Sequence, residues 1–205
     1  KVLKKFLSTK DKKTKPIFVN NFKWLKNLNY ISFLRDIGKH FTINKMLTFD
    51  SVKTRLEREQ SLSYMEFNYM ILQAYDFLEL NKKEKCLLQI GGSDQWGNIV
   101  NGVDLIKRHS SNQVYGLTTP LITLASGAKM GKTETGAIWL DKKFLSPYDY
   151  WQFWRNTDDR DVIQFLKFFT DIKVREIENL KNENINDLKI LLANKTTEML
   201  HGKEE

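Results

Sequence analysis

The sequence has only one cysteine, Cys86, among its 205 residues. A single cysteine cannot form an internal disulfide, so a disulfide framework is excluded and a reducing compartment is favoured. The apolar run around Cys86 predicts an inert, buried thiol. No apolar run approaches the roughly 20 residues that a membrane-spanning helix needs, so we expect no membrane partner.

Acidic residues are in the minority, with 25 Asp and Glu against 33 Lys and Arg, for a formal net charge of +8. This excess favours a polyanionic partner, above all RNA, although many basic proteins bind no nucleic acid. Much of the excess lies in the opening segment KVLKKFLSTKDKKTK, which has seven lysines and one acid. A targeting peptide would be richer in Arg and Ser, so we interpret this segment as solvated and basic.

Local signals predict where the helices begin. Ser63 and Glu66 have the spacing of a capping box, so we expect a helix from Ser63 to about Leu80. Capping residues, and in one case a proline in the first turn, also mark the N-termini of the other predicted helices. Further helices are predicted to begin near Asp50, Gln95, Ser146 and Asp158, with core leucines at Leu180, Leu188, Leu191 and Leu192.

Short apolar runs predict the strands. Residues 86–90, CLLQI, are apolar throughout, as expected of a strand that is covered on both faces. Residues 114–124 suggest a strand and a loop, with Pro120 limiting regular pairing, and residues 137–140 suggest a further short strand. Strands that alternate with helices and then give way to helices alone predict an α/β domain that passes into a helical one.

The stretch QIGGSDQWGN, residues 89–98, has two glycines and a carboxylate at the junction between a predicted strand and a predicted helix. Ligands of open parallel sheets collect at such strand ends, and glycines there let the backbone approach a ligand closely. Asp94 has two possible roles at this turn. Its carboxylate can cap the following helix, or it can accept hydrogen bonds from ribose hydroxyls.

A second candidate is the polar trio Tyr69, Gln73 and Asp76. Their spacing of four and three residues places them on one face of a helix, over an axial length of about 10 Å. A small amino acid that lies along this face would be contacted at both ends. The alternative is an ordinary solvated stripe.

A third candidate is the loop KMGKT, residues 129–133. Its two lysines, Lys129 and Lys132, lie beside flexible residues and are suited to closing over a polyphosphate. The loop is not a P-loop, because no GxxxxGK[ST] precedes a helix here. The alternative is an exposed basic loop.

Taken in order, these motifs resemble those of bacterial-type tyrosyl-tRNA synthetases, which are class I aminoacyl-tRNA synthetases. The segments FLRDIGKHF, LQAYDF, LQIGGSDQWGNI, KMGKTETGAIWLD and SPYDYWQFW stand in that family's order, and KMGKT resembles its KMSKS loop. The resemblance implies that the α/β fold is the second half of a Rossmann-like nucleotide-binding domain with a helical insert, followed by the start of an α-helical domain. The implied division is insert 1–80, catalytic half-domain 81–145 and helical start 146–205.

The resemblance also implies an activity, in which L-tyrosine and ATP give tyrosyl-adenylate and the tyrosyl group then passes to tRNA(Tyr). By this resemblance, Tyr69 and Gln73 contact the ammonium group of tyrosine. Asp76 accepts from its phenolic hydroxyl, and Gln95 binds near its carboxyl group. Asp76 argues against the sibling tryptophanyl enzymes, because indole offers a donor at a different place.

The nucleotide contacts follow from the same resemblance. Gly92 and Asp94 match contacts to the ribose, and the backbone at Leu121 and Ile122 meets the adenine. The resemblance implies Mg²⁺ carried by ATP, no protein-held metal and no tightly bound cofactor. The residues that match the pyrophosphate-binding loop, and would stabilise charge in the transition state, are Lys129, Lys132 and Thr133.

The family's first signature, HIGH, is not found in this sequence. We therefore expect an internal fragment that lacks the HIGH-containing half-domain and the C-terminal tRNA-binding domain and that is inactive alone. A catalytically inactive RNA-binding or scaffold protein is the alternative. The resemblance further implies a cytoplasmic protein, with an organelle also compatible, and a homodimer formed through the insert. Tyr64 and Phe67 are the candidates for that interface.

Overall fold

The computed structural model describes residues 2–7, 13–130 and 138–204. The chain forms two compact units. We call Val19–Leu121 the sheet unit, and Lys1–Phe18 together with Ile122–Glu205 the helical unit. Within the described residues, the longest helices are too polar or too short to cross a bilayer.

The sheet unit contains most of the predicted site residues. Its α-helices are α2 (Phe22–Leu25), α3 (Tyr30–Asp36), α4 (Ile43–Leu47), α5 (Asp50–Glu57), α6 (Tyr64–Glu84) and α7 (Trp96–Ser110). Its strands are β1 (Leu88–Gly92) and β2 (Tyr115–Thr119), and short 3-10 turns occupy Gly38–His40 and Ser93–Gln95.

The helical unit starts with α1 (Leu3–Phe6) and continues after the sheet unit. Its remaining elements are α8 (Pro147–Arg155), α9 (Asp159–Phe169), α10 (Val174–Asn179), a 3-10 turn at Leu180–Asn182 and α11 (Ile185–His201).

Helix α6 begins with the predicted capping box. The Ser63 hydroxyl accepts a hydrogen bond from the Glu66 backbone N–H at 3.2 Å, and the Glu66 carboxylate accepts from the Ser63 backbone N–H at 2.9 Å. Two of the helix's otherwise unpaired N–H groups are thereby satisfied, which confirms the prediction. The helix runs past the predicted Leu80 to Glu84 and ends where Lys85 adopts a left-handed conformation with φ 56°.

Strands β1 and β2 pair in parallel, with Leu88 opposite Tyr115 and Gly92 opposite Thr119. Helix α7 connects them and packs against the face that carries Gly116, where an added Cβ would lie 2.4 Å from Ile99 Cγ2. The opposite face is open, since Ile90 is 61% exposed there. The prediction of a strand covered on both faces is therefore wrong, because only the glycine-bearing face receives a helix among the described residues.

The core of the sheet unit lies between α6 and α7. Ala74, Phe77 and Leu78 of α6 are fully buried, as is Ile106 of α7. The two helices approach closely at Gly102, where a Cβ would lie 2.9 Å from a ring carbon of Phe77. This packing fixes α6, and with it the polar stripe on its other face. Cys86 is half-buried beside this core rather than buried, and its thiol donates to the Leu88 carbonyl oxygen at 3.5 Å.

The helical unit confirms both predicted helix starts. Ser146 accepts from the Asp149 N–H ahead of Pro147, and Asp158 accepts from the Arg160 N–H. Its core includes Trp154, Val162, Phe165 and Leu166. Of the predicted core leucines, Leu188 and Leu192 are buried, whereas Leu180 and Leu191 pack half-buried against them.

The predicted strand at 137–140 is not formed by its described residues, 138–140. Ile138 packs instead against the apolar core of the helical unit. A hydrophobic residue that finds a helical core no longer needs a neighbouring strand to bury it, which explains the error. Ala137 lies outside the described residues.

The capping carboxylate makes stability depend on pH. The hydrogen bond from Arg55, followed by those from the Ser63 backbone and hydroxyl, lowers the pKa of Glu66 from 4.5 to about 2. A depressed folded-state pKa stabilises the fold above the unfolded-state value, and this contribution disappears as the pH falls through the folded-state value. We predict that Glu66→Gln lowers the free energy of unfolding above pH 4.5, and that the difference from wild type disappears near pH 2.

Chemical denaturation of the purified chain across this pH range measures the difference. The control is Glu59→Gln, which removes an exposed carboxylate that has no ion pair among the described residues. A wild-type advantage that stays constant down to pH 2 would contradict the prediction.

Candidate functional site

The polar trio lies on one face of α6, at the boundary between the core and solvent. Tyr69 is 59% exposed, whereas Gln73 and Asp76 are half-buried. The opposite face buries Met70 and Ala74. A fully solvated stripe would leave all three polar side chains in water, so that alternative fits Tyr69 but not Gln73 or Asp76.

Both oxygens of the Asp76 carboxylate are held by donors from a distant part of the chain. The Trp24 indole N–H donates to Oδ1 at 2.7 Å, and the Asn21 amide donates to Oδ2 at 3.1 Å. These partners lie 52 and 55 residues before Asp76. A carboxylate has about four lone-pair positions, so two donors orient it and leave capacity to accept a further hydrogen bond.

In the segment that supplies these donors, the Asn21 side chain contacts Asp76 and does not cap its own helix, α2. Asn21 stands at the N-cap of α2, yet its side chain makes no capping hydrogen bond there. Asn20 takes over that task by accepting from the Phe22 N–H at 2.9 Å. The Trp24 ring is also held by Lys83, whose Nζ lies 5.2 Å from a ring centroid. Asn21 thus gives up a local stabilising contact, worth roughly 1 kcal/mol at such positions, to contact Asp76.

Sequence reasoning missed Asn21 and Trp24. Periodicity and capping rules act over a few residues, whereas these contacts span more than fifty. The signal that was available is the pair Asn20-Asn21 before a tryptophan, two capping residues where one helix start needs only one.

A neighbouring tyrosine stays neutral beside this carboxylate. Burial, followed by the charge of Glu79, a hydrogen bond with Glu79 and the charge of Asp76, raises the pKa of Tyr75 to about 12. Its ring packs edge-on against Phe33, with centroids 5.3 Å apart. Tyr75 contributes packing beside the carboxylate through this ring contact.

The turn at the end of β1 needs glycine because a side chain would crowd its neighbours there, and not because its backbone conformation is unusual. Gly92 has φ −70°, which any residue adopts. A Cβ at Gly92 would lie 2.7 Å from both Asp94 Oδ1 and Leu121 Cδ2. The structure thus brings Gly92, Asp94 and Leu121 together at the carboxyl end of the sheet, where parallel sheets bind ligands.

Asp94 does not cap a helix. Neither the 3-10 turn at Ser93–Gln95 nor α7 begins with a side-chain capping hydrogen bond. The exposed Asp94 carboxylate accepts only a long hydrogen bond, 3.4 Å, from Gln95 among the contacts described. The Gln95 amide oxygen in turn accepts from Asn98 at 3.1 Å. Of the two roles considered for Asp94, the capping role is wrong, and its carboxylate has free acceptor capacity.

The helical unit carries the rest of the predicted nucleotide contacts. Residues 122–130 form a tight hairpin, in which Thr123 pairs with Lys129. The Lys129 side chain is exposed, and Ile122 packs half-buried against the helical core. Leu121 and Ile122, predicted together, therefore belong to different units. Lys132 and Thr133 lie outside the described residues.

Comparison with known proteins places this arrangement in a family. The family described as tRNA synthetases class I (W and Y) matches residues 1–205. The chain is 84% identical over 205 residues to the tyrosine–tRNA ligase of Pelagibacter ubique (strain HTCC1062), covering 100% of this chain and 50% of that protein. It is 57% identical over 208 residues to the tyrosine–tRNA ligase of Wolbachia pipientis wMel, again covering 100% and 50%. The chain thus spans about half the length of the curated relatives it matches.

Solved structures confirm the α/β fold. A C-terminally truncated mitochondrial tyrosyl-tRNA synthetase from Coccidioides posadasii is similar with a TM-score of 0.76 and 30% identity, covering 98% of this chain and 60% of that one. Tryptophanyl-tRNA synthetase from Campylobacter jejuni is similar with a TM-score of 0.53 and 15% identity, covering 85% and 60%. At that identity, the second likeness concerns the fold alone.

The close contacts at Gly92 lead to a structural prediction. In Gly92→Ala, the new methyl group meets the mobile ends of Asp94 and Leu121. We expect both side chains to move while the fold persists, with a loss of unfolding free energy of no more than about 1–3 kcal/mol. Amide chemical shifts should change most around residues 92–95 and 121.

Gly38→Ala is the matched control, because its nearest contact, Leu34 Cδ2, lies at an ordinary 3.5 Å. This variant should leave those shifts unchanged. Identical spectra around Asp94 in wild type and Gly92→Ala would refute the contact.

Proposed function

We propose a function from one premise: this chain belongs to the class I tRNA synthetases for tryptophan and tyrosine, whose family description matches residues 1–205. The whole protein is a tyrosine–tRNA ligase that forms tyrosyl-adenylate from L-tyrosine and ATP and passes the tyrosyl group to tRNA(Tyr). The observation that carries this choice is the Asp76 carboxylate, oriented by Trp24 and Asn21. The names of relatives up to 84% identical support the same choice.

Recognition of tyrosine uses the two ends of the α6 stripe. Asp76 accepts from the phenolic hydroxyl, while the ammonium group is contacted by Tyr69, about 10 Å away along the helix, and by Gln73 between them. Gln95 lies near the carboxyl group. Phenylalanine brings no hydroxyl, so a desolvated acceptor would be left without its donor, which disfavours that ligand. The indole N–H of tryptophan is placed differently and meets the acceptor poorly.

Activation joins a tyrosine carboxylate oxygen to the α-phosphorus of ATP and breaks the bond to the β-phosphate, releasing pyrophosphate. The attacking carboxylate is already ionised at neutral pH, so the step needs charge stabilisation and not a general base. Asp94, beside Gly92, accepts from the ribose hydroxyls, and the backbone at Leu121 and Ile122 meets the adenine. The residues that offset the charge of the departing pyrophosphate are Lys129, Lys132 and Thr133.

Mg²⁺ enters with ATP as part of the substrate. Within the described residues, no group of three His, Cys, Asp or Glu side chains is placed to hold a metal ion. That the protein itself holds no metal ion stays a prediction.

The protein acts as a homodimer through the insert, 1–80, in a cytoplasmic setting. Support comes from the exposed aromatic pair Tyr30 and Tyr64, whose hydroxyls lie 2.6 Å apart, and from the neighbouring exposed Ile31 and Met65. Phe67, the other residue considered for this interface, packs half-buried against the core of the sheet unit, so we omit it. The division into 1–80, 81–145 and 146–205 stays a prediction. No observation favours an inactive scaffold.

Calorimetry of the whole protein with tyrosine and with phenylalanine tests the proposal. Wild type should bind tyrosine much more tightly than phenylalanine. Asp76→Ala should weaken tyrosine binding by roughly 10- to 100-fold, since hydrogen bonds to charged groups are the strong ones. Trp24→Phe, which leaves the carboxylate less firmly oriented, should weaken it by roughly tenfold, equivalent to about 1.4 kcal/mol.

Trp139→Phe is the matched control, because Trp139 is an exposed tryptophan of the helical unit whose ring packs at a tilt against Phe144, with centroids 5.0 Å apart. It should leave tyrosine affinity unchanged. Equal affinities of wild type for tyrosine and phenylalanine would overturn the proposed substrate.

A further inference from the structure

A buried carboxylate in the helical unit has no role in the site described above. Asp161 lies in the first turn of α9 and is 3% exposed. Its Oδ2 accepts a hydrogen bond from the backbone N–H of Ala125 at 2.9 Å. Ala125 is part of the hairpin 122–130, so a helix core residue is tied to a surface turn.

Three backbone N–H groups of the hairpin have carbonyl acceptors within it, but the N–H of Ala125 does not. The N–H groups of Leu124, Gly127 and Met130 donate to carbonyl oxygens within the hairpin, at 2.8, 2.8 and 3.1 Å. Gly127, with φ 82°, makes the tight turn possible. The acceptor for the Ala125 N–H lies outside the hairpin, in the carboxylate of Asp161.

The hairpin presents its two sides differently. Ile122, Leu124 and Met130 pack half-buried against the helical core. Thr123 and Lys129, which pair with each other across the hairpin, are exposed. The backbone position of Lys129 is therefore set by the hairpin, and the hairpin is set by its apolar contacts and by Asp161.

Burying a carboxylate only to accept a hydrogen bond from the Ala125 N–H is energetically costly. Removing a charge from water is unfavourable unless fixed partners compensate. Asp161 is compensated by the positive end of the α9 dipole and by the hydrogen bond that it accepts from Ala125. An apolar side chain at this position would avoid the cost of desolvation, but it would leave the Ala125 N–H without its acceptor.

We propose that Asp161 is a positioning residue for the pyrophosphate step: by holding the Ala125 N–H it fixes the hairpin that carries Lys129. Its catalytic consequence rests on the proposed function, whereas the anchoring contact does not. Holding the hairpin fixes the backbone from which the Lys129 side chain reaches the developing charge, and a charge held near that place stabilises the transition state.

Amide hydrogen exchange in this chain tests the anchor. Asp161→Ser keeps a polar first-turn residue but is too short to reach Ala125, so protection of the Ala125 N–H should fall by about 10- to 100-fold. Asp161→Asn keeps a side-chain oxygen that can accept, and it should retain most of the protection. Unchanged Ala125 protection in Asp161→Ser would overturn the anchor.

Asp159→Ser is the matched control. It removes another first-turn carboxylate of α9, which pairs with Lys189 and not with the hairpin. Ala125 protection should not change in this variant. If it falls as far as in Asp161→Ser, the effect belongs to the helix dipole, and the proposed contact is rejected.

Tyrosine-dependent exchange of pyrophosphate into ATP by the whole protein tests the positioning role. Asp161→Ser should lower kcat by roughly 10- to 100-fold, as small misplacements of a catalytic group do. It should leave KM for tyrosine unchanged, and Asp161→Asn should restore most of kcat. An unchanged kcat, or a matching rise in KM for tyrosine, would reject the positioning role. Absence of exchange in wild type would instead count against the proposed function and leave the Ala125 result standing.

Discussion

The proposed recognition of tyrosine depends on one carboxylate that must be oriented before the ligand arrives. Asp76 is held through both oxygens, by Trp24 at 2.7 Å and Asn21 at 3.1 Å. A half-buried carboxylate without fixed donors would turn toward water, and its geometry would carry no selectivity. The surrounding structure serves this orientation, since α6 is fixed by its capping box at one end and by packing against α7 along its length.

Close packing at small residues places the second part of the site. Gly102 lets α7 approach Phe77 of α6, and Gly116 lets β2 approach Ile99 of α7. The helix that follows the glycine turn is therefore held against the helix that carries Asp76. Gly92 gives Asp94 and Leu121 room at the end of the sheet. The polar trio of α6 and the glycine turn after β1 belong to one compact unit, as the proposed tyrosyl-adenylate would require.

Local rules predicted the parts of the fold that local interactions decide. The capping box at Ser63, the proline start after Ser146 and the cap at Asp158 all depend on neighbours within a few residues. The same rules could not find the Trp24–Asp76 contact, nor that Ile138 would pack on helices rather than in a strand, because both depend on tertiary neighbours. Asp94 shows the same limit within a single turn. Its residue type and position suit a helix cap, but it lies inside the 3-10 turn Ser93–Gln95 and makes no capping hydrogen bond.

We propose that the carboxylate held by Trp24 and Asn21 receives the phenolic hydroxyl of tyrosine. A crystal structure of the whole protein with bound L-tyrosine tests it most directly. We expect a phenolic oxygen about 2.5–2.7 Å from an Asp76 oxygen, the range of hydrogen bonds from a hydroxyl to a carboxylate, with the ammonium group beside Tyr69 and Gln73. Tyrosine bound with its hydroxyl away from Asp76, while Trp24 and Asn21 keep their contacts, would contradict it.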